Sequence, residues 1–211
     1  MERIVGGVIV IAVILISMML HELAHGGVAY LLGDTTAKDD GRLTLNPLRH
    51  LDPFMSVILP LLLYISGGVV FGGAKPVPVN SLRLKGKEWG MALVALAGPM
   101  TNLVLSFLAY LVGATTGLLG EGSIAGLFLT DMVVVNLGFM VFNLLPIPPL
   151  DGSRVLYAFM PDMVREWMEK MEKVGLVIVY VLILVGGGVF SAVMTGAVSG
   201  ILDVFYWIVG A

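Results

Sequence analysis

Long apolar segments separated by short polar ones dominate this chain of 211 residues. A run of about 20 residues without a charged side chain is long enough for a helix to cross the hydrocarbon core of a bilayer. The runs that reach or approach this length are residues 4–20, 53–74, 89–120, 132–150 and 174–202. The pattern therefore predicts an all-α polytopic membrane protein with about five to six membrane segments.

No internal repeat or linker divides the chain, so we predict one integral-membrane domain over residues 1–211. Its predicted membrane helices are three long ones, over residues 4–32, 91–112 and 124–150, and two C-terminal ones within residues 174–208. The C-terminal stretch is long for one crossing and short for two, and the glycines at 186, 187 and 188 favour a break between two short helices.

Three polar loops, residues 33–52, 75–88 and 151–173, carry most of the basic side chains. Basic loops favour the cytoplasmic side of a membrane, so all three are expected on the same face. A single crossing by residues 53–74 would separate the first two loops. We therefore expect this apolar segment to enter the membrane and return as a bent hairpin, with a bend at Pro60.

The first polar loop also contains a short pattern typical of a β-hairpin. Asp39, Asp40 and Gly41 resemble a turn, and the polar and apolar positions alternate over the residues that follow. The alternation predicts a short strand at Leu43, Thr44 and Leu45.

Composition excludes several classes of protein. Charged residues make up 13% of the chain and hydrophobic ones 58%, whereas a soluble domain carries about 25% charged residues. The absence of cysteine excludes disulfides, thiolate metal sites and cysteine nucleophiles. A net charge of −3 without a long basic run offers nucleic acid no binding surface. The lipid bilayer is the expected partner, and the residues specify no oligomeric state.

The most informative short motif is His21-Glu22-Leu23-Ala24-His25. Residues four apart share one face of a helix, so both imidazoles can reach one Zn²⁺ at about 2.0–2.1 Å, with Glu22 beside them. The alternative is a pair of buried histidines hydrogen-bonded between helices. Each ionisable side chain at the centre of a membrane helix costs about 2.5–3.5 kcal/mol, and three of them within one motif favour a metal site.

A catalytic zinc ion normally takes three protein ligands, so the two histidines need a third residue. The remaining candidates near apolar segments are His50, Asp131, Asp151 and Asp203. Asp151 is favoured because it follows a proline-rich break in an apolar run, and irregular backbone at membrane depth is tolerated where it lines a polar cavity. The alternative is an aspartate that ends a helix at the membrane interface.

Two separated motifs carry a resemblance to a known family: HELAH at residues 21–25 and NLLPIPPLDG at residues 143–152. Further stretches with the same likeness are GRLTLNP at 41–47, AKPVPVN at 74–80 and AGPMTN at 97–102. Together they resemble the site-2 protease family of intramembrane zinc metalloproteases, in its compact prokaryotic branch without a PDZ domain. The resemblance spans most of the chain.

The resemblance implies a zinc-dependent endopeptidase that hydrolyses peptide bonds within or next to transmembrane segments of membrane-protein substrates. It implies one Zn²⁺ per chain, bound by His21, His25 and Asp151, and a catalytic base at Glu22. The protein is then expected to be a multi-pass protein of the cell membrane, with its active site nearer the cytoplasmic side.

Three further features are predicted to support this reaction: Asn143, Asn102 and the short strand at Leu43, Thr44 and Leu45. The amide of Asn143 is a candidate donor to the oxyanion. Asn102 is interpreted first as a residue that packs helices together and second as a residue near the substrate or oxyanion. The strand at Leu43, Thr44 and Leu45 could pair with an extended substrate, or it could be an ordinary surface hairpin.

Two other functions compete with proteolysis. A zinc transporter would also place histidine and aspartate inside membrane helices, but it needs polar residues along an entry and exit route, and it leaves Glu22 unexplained. An inactive relative that binds membrane proteins is the other alternative, and the intact HELAH and LDG motifs speak against it.

Overall fold

The computed structural model describes residues 2–51 and 75–210, and within these ranges the regular structure is entirely helical. The helices are α1 (Glu2–Leu31), α2 (Thr36–Asp39), α3 (Lys87–Thr116), α4 (Ile124–Asn143), α5 (Asp151–Phe159), α6 (Asp162–Glu172), α7 (Gly175–Val185) and α8 (Gly187–Val209). Two short 3₁₀ turns lie at Pro47–Arg49 and Ser81–Arg83.

Four of the described helices are long and apolar enough to cross a membrane, namely α1 from Ile4 onward, α3, α4 and α8. The all-helical fold with several candidate membrane spans is therefore confirmed, whereas the count of five to six membrane segments stays a prediction. The predicted hairpin at residues 53–74 lies outside the described residues. The C-terminal stretch forms two helices that meet at Gly186, as predicted.

The predicted helix over residues 124–150 is too long, because α4 ends at Asn143. Three prolines follow, at positions 146, 148 and 149, and a proline has no N–H to donate within a helix. The chain turns over residues 144–150 and then starts α5, a helix that the sequence pattern did not predict. This turn returns the chain to the interior of the bundle at Asp151.

The apolar core lies between α1, α3 and α4. Val13 of α1 and Leu137 of α4 are fully buried in it, and Tyr110 of α3 packs beside them. Phe205 of α8 completes the cluster, with its ring centroid 5.0 Å from that of Phe107 and 5.6 Å from that of Tyr110. This packing fixes the relative positions of the helices that carry the polar site.

The three polar segments meet at one end of the helices. The contacts that join them are Lys85 N–H to the Leu32 carbonyl (2.9 Å), Lys75 N–H to the His50 carbonyl (2.8 Å), and Arg165 Nη1 to Glu88 Oε1 (4.0 Å). The polar segments therefore lie at one end of the described helices, and their common face of the membrane stays a prediction.

The predicted strand at Leu43, Thr44 and Leu45 is wrong, because these residues form a bend. The Thr44 N–H donates to the Arg42 carbonyl at 3.0 Å, and the Thr44 carbonyl accepts from His50 Nε2 at 2.9 Å. The backbone N–H and carbonyl of Thr44 are therefore engaged in local turn bonds rather than in a strand ladder. Alternation over so few residues is outweighed by local turn bonds.

Asp34 ties the first two polar loops together from a fully buried position. Its Oδ1 accepts hydrogen bonds from the Thr36 N–H and hydroxyl at 3.0 and 2.6 Å, and its Oδ2 accepts from the Asn80 N–H at 2.6 Å. Burial opposes ionisation, but these hydrogen bonds and the positive charge of Arg83 outweigh it and lower the pKa of Asp34.

Replacing Asp34 by asparagine should destabilise the protein by about 1–3 kcal/mol at neutral pH, because an amide cannot accept all three hydrogen bonds. The wild-type carboxylate contributes stability above its unfolded pKa of about 3.9, and this contribution is lost as the pH falls through the lower folded pKa. The difference in the free energy of unfolding between wild type and Asp34→Asn should therefore become smaller below about pH 4. Thermal unfolding in detergent at several pH values measures it.

The matched control is Asp40→Asn, which changes an exposed aspartate of the same loop and should leave stability near that of wild type. A loss for Asp34→Asn that stays constant between neutral and acidic pH would contradict the role assigned to the charge.

Candidate metal centre

His21, His25 and Asp151, the three predicted ligands, lie together in the structure. The Nε2 atoms of the two histidines are 3.0 Å apart. Asp151 Oδ2 lies 3.2 Å from His21 Nε2 and 3.3 Å from His25 Nε2. Both histidines are buried on α1, and Asp151 is the first residue of α5. Residues from distant parts of the sequence thus direct three donor atoms to one point.

The donor atoms fit a zinc ion. A tetrahedral zinc with ligands at about 2.0–2.1 Å separates its ligand atoms by about 3.3 Å, close to the observed spacing. Among the described residues, the buried Oδ2 of Asp151 has no hydrogen-bond donor, which a bound cation would compensate. The other candidates for the third ligand, His50, Asp131 and Asp203, are not part of this group.

The second nitrogen of each imidazole is also bound. His25 Nδ1 lies 2.7 Å from the Val94 carbonyl, and His21 Nδ1 lies 2.5 Å from Asn102 Oδ1. A carbonyl only accepts, so the proton of His25 sits on Nδ1 and Nε2 presents its lone pair to the metal. Hydrogen bonds of this kind orient metal-binding histidines and fix the protonated nitrogen.

Asn102 therefore contacts the metal centre indirectly, through the Nδ1 atom of His21. It is fully buried, with Oδ1 near His21 and Nδ2 donating to Asn136 Oδ1 at 2.7 Å. Oδ1 and one N–H of its amide are thus engaged inside the bundle, and the substrate or oxyanion role of Asn102 stays a prediction. The role in packing helices is consistent with the structure.

Gly98 lets α3 lie directly against the two histidine rings. A Cβ atom at this position would lie 2.4 Å from His25 Nε2 and 2.5 Å from His21 Nε2, distances that real side chains do not adopt. Gly98 belongs to the AGPMTN stretch, but the sequence did not indicate its neighbours on α1.

The turn before α5 places Asp151. Gly152, the second residue of α5, lies so close to the preceding turn that a Cβ atom there would be 2.2 Å from the Leu144 carbonyl oxygen. The Leu150 carbonyl accepts from both the N–H and the hydroxyl of Ser153, at 3.0 and 2.7 Å. These contacts explain why a glycine follows the aspartate in the LDG motif.

Glu22 follows His21 on α1 and is partly buried. Its Oε2 accepts a hydrogen bond at 2.8 Å from the backbone N–H of Val77, in the irregular segment 75–80. Arg42 holds that segment, because its Nη2 donates to the Lys75 carbonyl at 2.6 Å. Side-chain patterns carry no signal for a backbone donor, so sequence reasoning missed this contact.

Asn143 is the last residue of α4 and is partly buried. Its Nδ2 donates to the Phe139 carbonyl at 3.0 Å, one turn earlier in the same helix. An amide nitrogen carries two hydrogens, so this bond leaves one N–H for another acceptor. The oxyanion role of Asn143 stays a prediction.

Asp151→Ala should reduce bound zinc strongly, because two histidines alone form an incomplete ligand set. Metal analysis of the purified protein measures the effect, and Asp162→Asn, at an exposed position at the start of α6, is the control. An unchanged zinc stoichiometry in Asp151→Ala would remove Asp151 from the ligand set.

The chain is similar to a known peptidase family over most of its length. The family model described as Peptidase family M50 matches residues 9–122 and 120–186. The chain is 36% identical over 200 residues to "Putative zinc metalloprotease YwhC" of Bacillus subtilis (strain 168), an alignment that covers 91% of this chain and 88% of the relative.

A second relative is "Putative zinc metalloprotease Rip2" of Mycolicibacterium smegmatis, 35% identical over 183 residues, with 84% of this chain and 67% of the relative covered. No solved structure matches the chain. The relatives' names imply zinc, which the donor set fits. The family match extends over most of the sequence, and the chain therefore belongs to peptidase family M50, the site-2 protease family.

Proposed function

We propose that the protein is an intramembrane endopeptidase, which hydrolyses peptide bonds within or next to transmembrane segments of membrane-protein substrates. The observation that carries the proposal is the position of the metal centre on a helix long and apolar enough to span a membrane. His25 lies six residues before Leu31, the last residue of α1, or about 9 Å along the helix. The site is thus near one end of the span.

His21, His25 and Asp151 would hold the zinc ion. When bound, zinc supplies a Lewis acid that acidifies water and polarises the carbonyl of the scissile bond. The imidazole rings are kept in place from behind by Asn102 and the Val94 carbonyl, so the donor set is arranged before the metal arrives.

Glu22 is the proposed general base and acid. The Val77 N–H engages Oε2, which leaves Oε1 to accept a proton from the attacking water as its oxygen bonds to the scissile carbonyl carbon. The C–N bond then breaks, and Oε1 returns the proton to the departing amine nitrogen. The remaining N–H of Asn143 is the proposed donor to the carbonyl oxygen as its negative charge develops.

The proposed location is the cell membrane, with the active site nearer the cytoplasmic side. The basic loops favour that side, and the polar segments meet at the end of the bundle where α1 ends and α3 begins. Transport is less well supported, because within the described part of the chain His50, Asp131 and Asp203 lie outside the group of potential metal ligands.

The test is cleavage of a single-span substrate by the purified protein in proteoliposomes, with the cut position determined from product masses. We expect a cut within or next to the membrane segment, loss of cleavage when a chelator removes the metal, and recovery when zinc is restored. Cleavage that is insensitive to metal removal, or that is confined to soluble peptides, would contradict the proposal. Zinc flux into the vesicles without any proteolysis would favour a transporter.

A further inference from the structure

A buried chain of polar side chains connects the metal centre to two other helices. Asn102 of α3, which bonds His21, donates through Nδ2 to Asn136 Oδ1 of α4 at 2.7 Å. Asn136 Nδ2 donates in turn to Ser17 Oγ at 2.8 Å. Ser17 lies one turn before His21 on α1, and all three linking side chains are fully buried.

The direction of these hydrogen bonds is fixed at one end by a backbone group. Asn136 Nδ2 also donates to the Met132 carbonyl at 2.8 Å, and a carbonyl can only accept. Oδ1 of Asn136 must therefore face Asn102. An oxygen accepts, so the atom of Asn102 that faces it is the donor Nδ2. The Oδ1 of Asn102 then faces His21 Nδ1, which has to carry a proton in order to donate.

We propose that Asn136 is a positioning residue for the metal centre, although it does not touch the donor atoms and lies outside the sequence motifs that resemble the family. By holding the Asn102 amide in one orientation, it keeps the proton of His21 on Nδ1 and the lone pair of Nε2 free for the metal. An amide turned by 180° occupies nearly the same space, so apolar packing alone does not select its orientation. A turned amide would present N–H to His21 Nδ1 and favour the tautomer whose Nε2 carries hydrogen.

The inference depends on the proposed function only through the zinc site, and its test measures zinc affinity rather than cleavage. Chelator competition on detergent-purified protein should show weaker zinc binding by Asn136→Leu, by about tenfold, the lower end of the range for groups that orient metal ligands. Asn136→Asp should bind zinc more tightly than Asn136→Leu does, because a carboxyl oxygen still accepts from Asn102 Nδ2, although the N–H bonds to Ser17 and the Met132 carbonyl are lost. Equal affinities in wild type and Asn136→Leu would contradict the proposal.

The two variants separate positioning from packing. If Asn136 only fills space between helices, Asn136→Leu should be tolerated and the buried carboxylate of Asn136→Asp should be disruptive. The order of the two zinc affinities would then be the reverse of the one expected for a positioning residue. Asn136→Ala provides the same comparison if the leucine variant does not fold. Ser106→Ala is the matched control, because Ser106 is fully buried one turn further along α3 and its hydroxyl donates to the Leu103 carbonyl of its own helix.

A double-mutant cycle tests the orientation argument directly. Asn102→Asp replaces the amide by a carboxylate, which has no N–H end and therefore needs no partner to orient it. Asn136→Leu should then cost little zinc affinity in the Asn102→Asp background, although it weakens binding in the wild-type background. Equal losses in both backgrounds would overturn the proposal. Wild-type protein that binds zinc but cleaves no substrate would contradict the proposed function and leave this comparison intact.

Discussion

Glu22→Gln should abolish peptide cleavage while zinc stays bound. Glutamine has nearly the same shape, and its carbonyl oxygen can still accept the Val77 N–H, so the side chain should keep its place. A neutral amide cannot take a proton from water, and the loss of a general base lowers the rate by about 10²–10⁴-fold. The cleavage rate in proteoliposomes and the zinc content of the same preparation measure the two effects separately.

The matched control for this variant is Glu166→Gln, on the exposed side of α6, which should cleave at the wild-type rate. Cleavage by Glu22→Gln near the wild-type rate would remove Glu22 from the reaction. Loss of zinc together with unfolding would show instead that Glu22 is structural.

Gly98→Ala should eliminate most zinc binding although it changes no ligand. The added methyl group would lie 2.4 Å from His25 Nε2 and 2.5 Å from His21 Nε2, so either the rings or α3 must move. We expect a loss in zinc affinity of about 100-fold, the upper end of the range for changes around metal ligands. Chelator competition measures it.

Gly27→Ala is the control for the glycine substitution. Gly27 lies on α1 two residues after His25, and a Cβ atom there has no neighbour within 4 Å. This change should leave zinc affinity at the wild-type value. It should also raise the stability of the protein, because alanine favours a helix by about 1 kcal/mol over glycine. Wild-type zinc affinity in Gly98→Ala would contradict the close approach of α3 to the histidines.

The ligand set could be predicted because its signals are local. The four-residue spacing of His21 and His25 places both on one helix face, and the prolines before Asp151 mark a break that brings a carboxylate inward. The predicted strand at Leu43, Thr44 and Leu45 failed because alternation over so few residues competes with local turns, and the structure forms the turns.

The surroundings of the ligands could not be predicted, because they depend on contacts between distant residues. Asn102 and His21 are 81 positions apart, and Asn136 and Ser17 are 119 apart. Nothing in the pattern around Asn136 separates it from a polar residue that merely joins two membrane helices. Its place in the chain of hydrogen bonds emerges only from the packing of α1, α3 and α4.

Two of the contacts at the centre come from the peptide backbone, the Val94 carbonyl on His25 and the Val77 N–H on Glu22. A mutational scan would rank substitutions at both valines by size and hydrophobicity, since each side chain is buried and each backbone group survives replacement. Proline at 77 is the exception, because it removes the N–H. Such a scan would therefore classify positions 77 and 94 as ordinary packing sites, although the backbone of Val94 contacts the ligand His25 and that of Val77 contacts the proposed base Glu22.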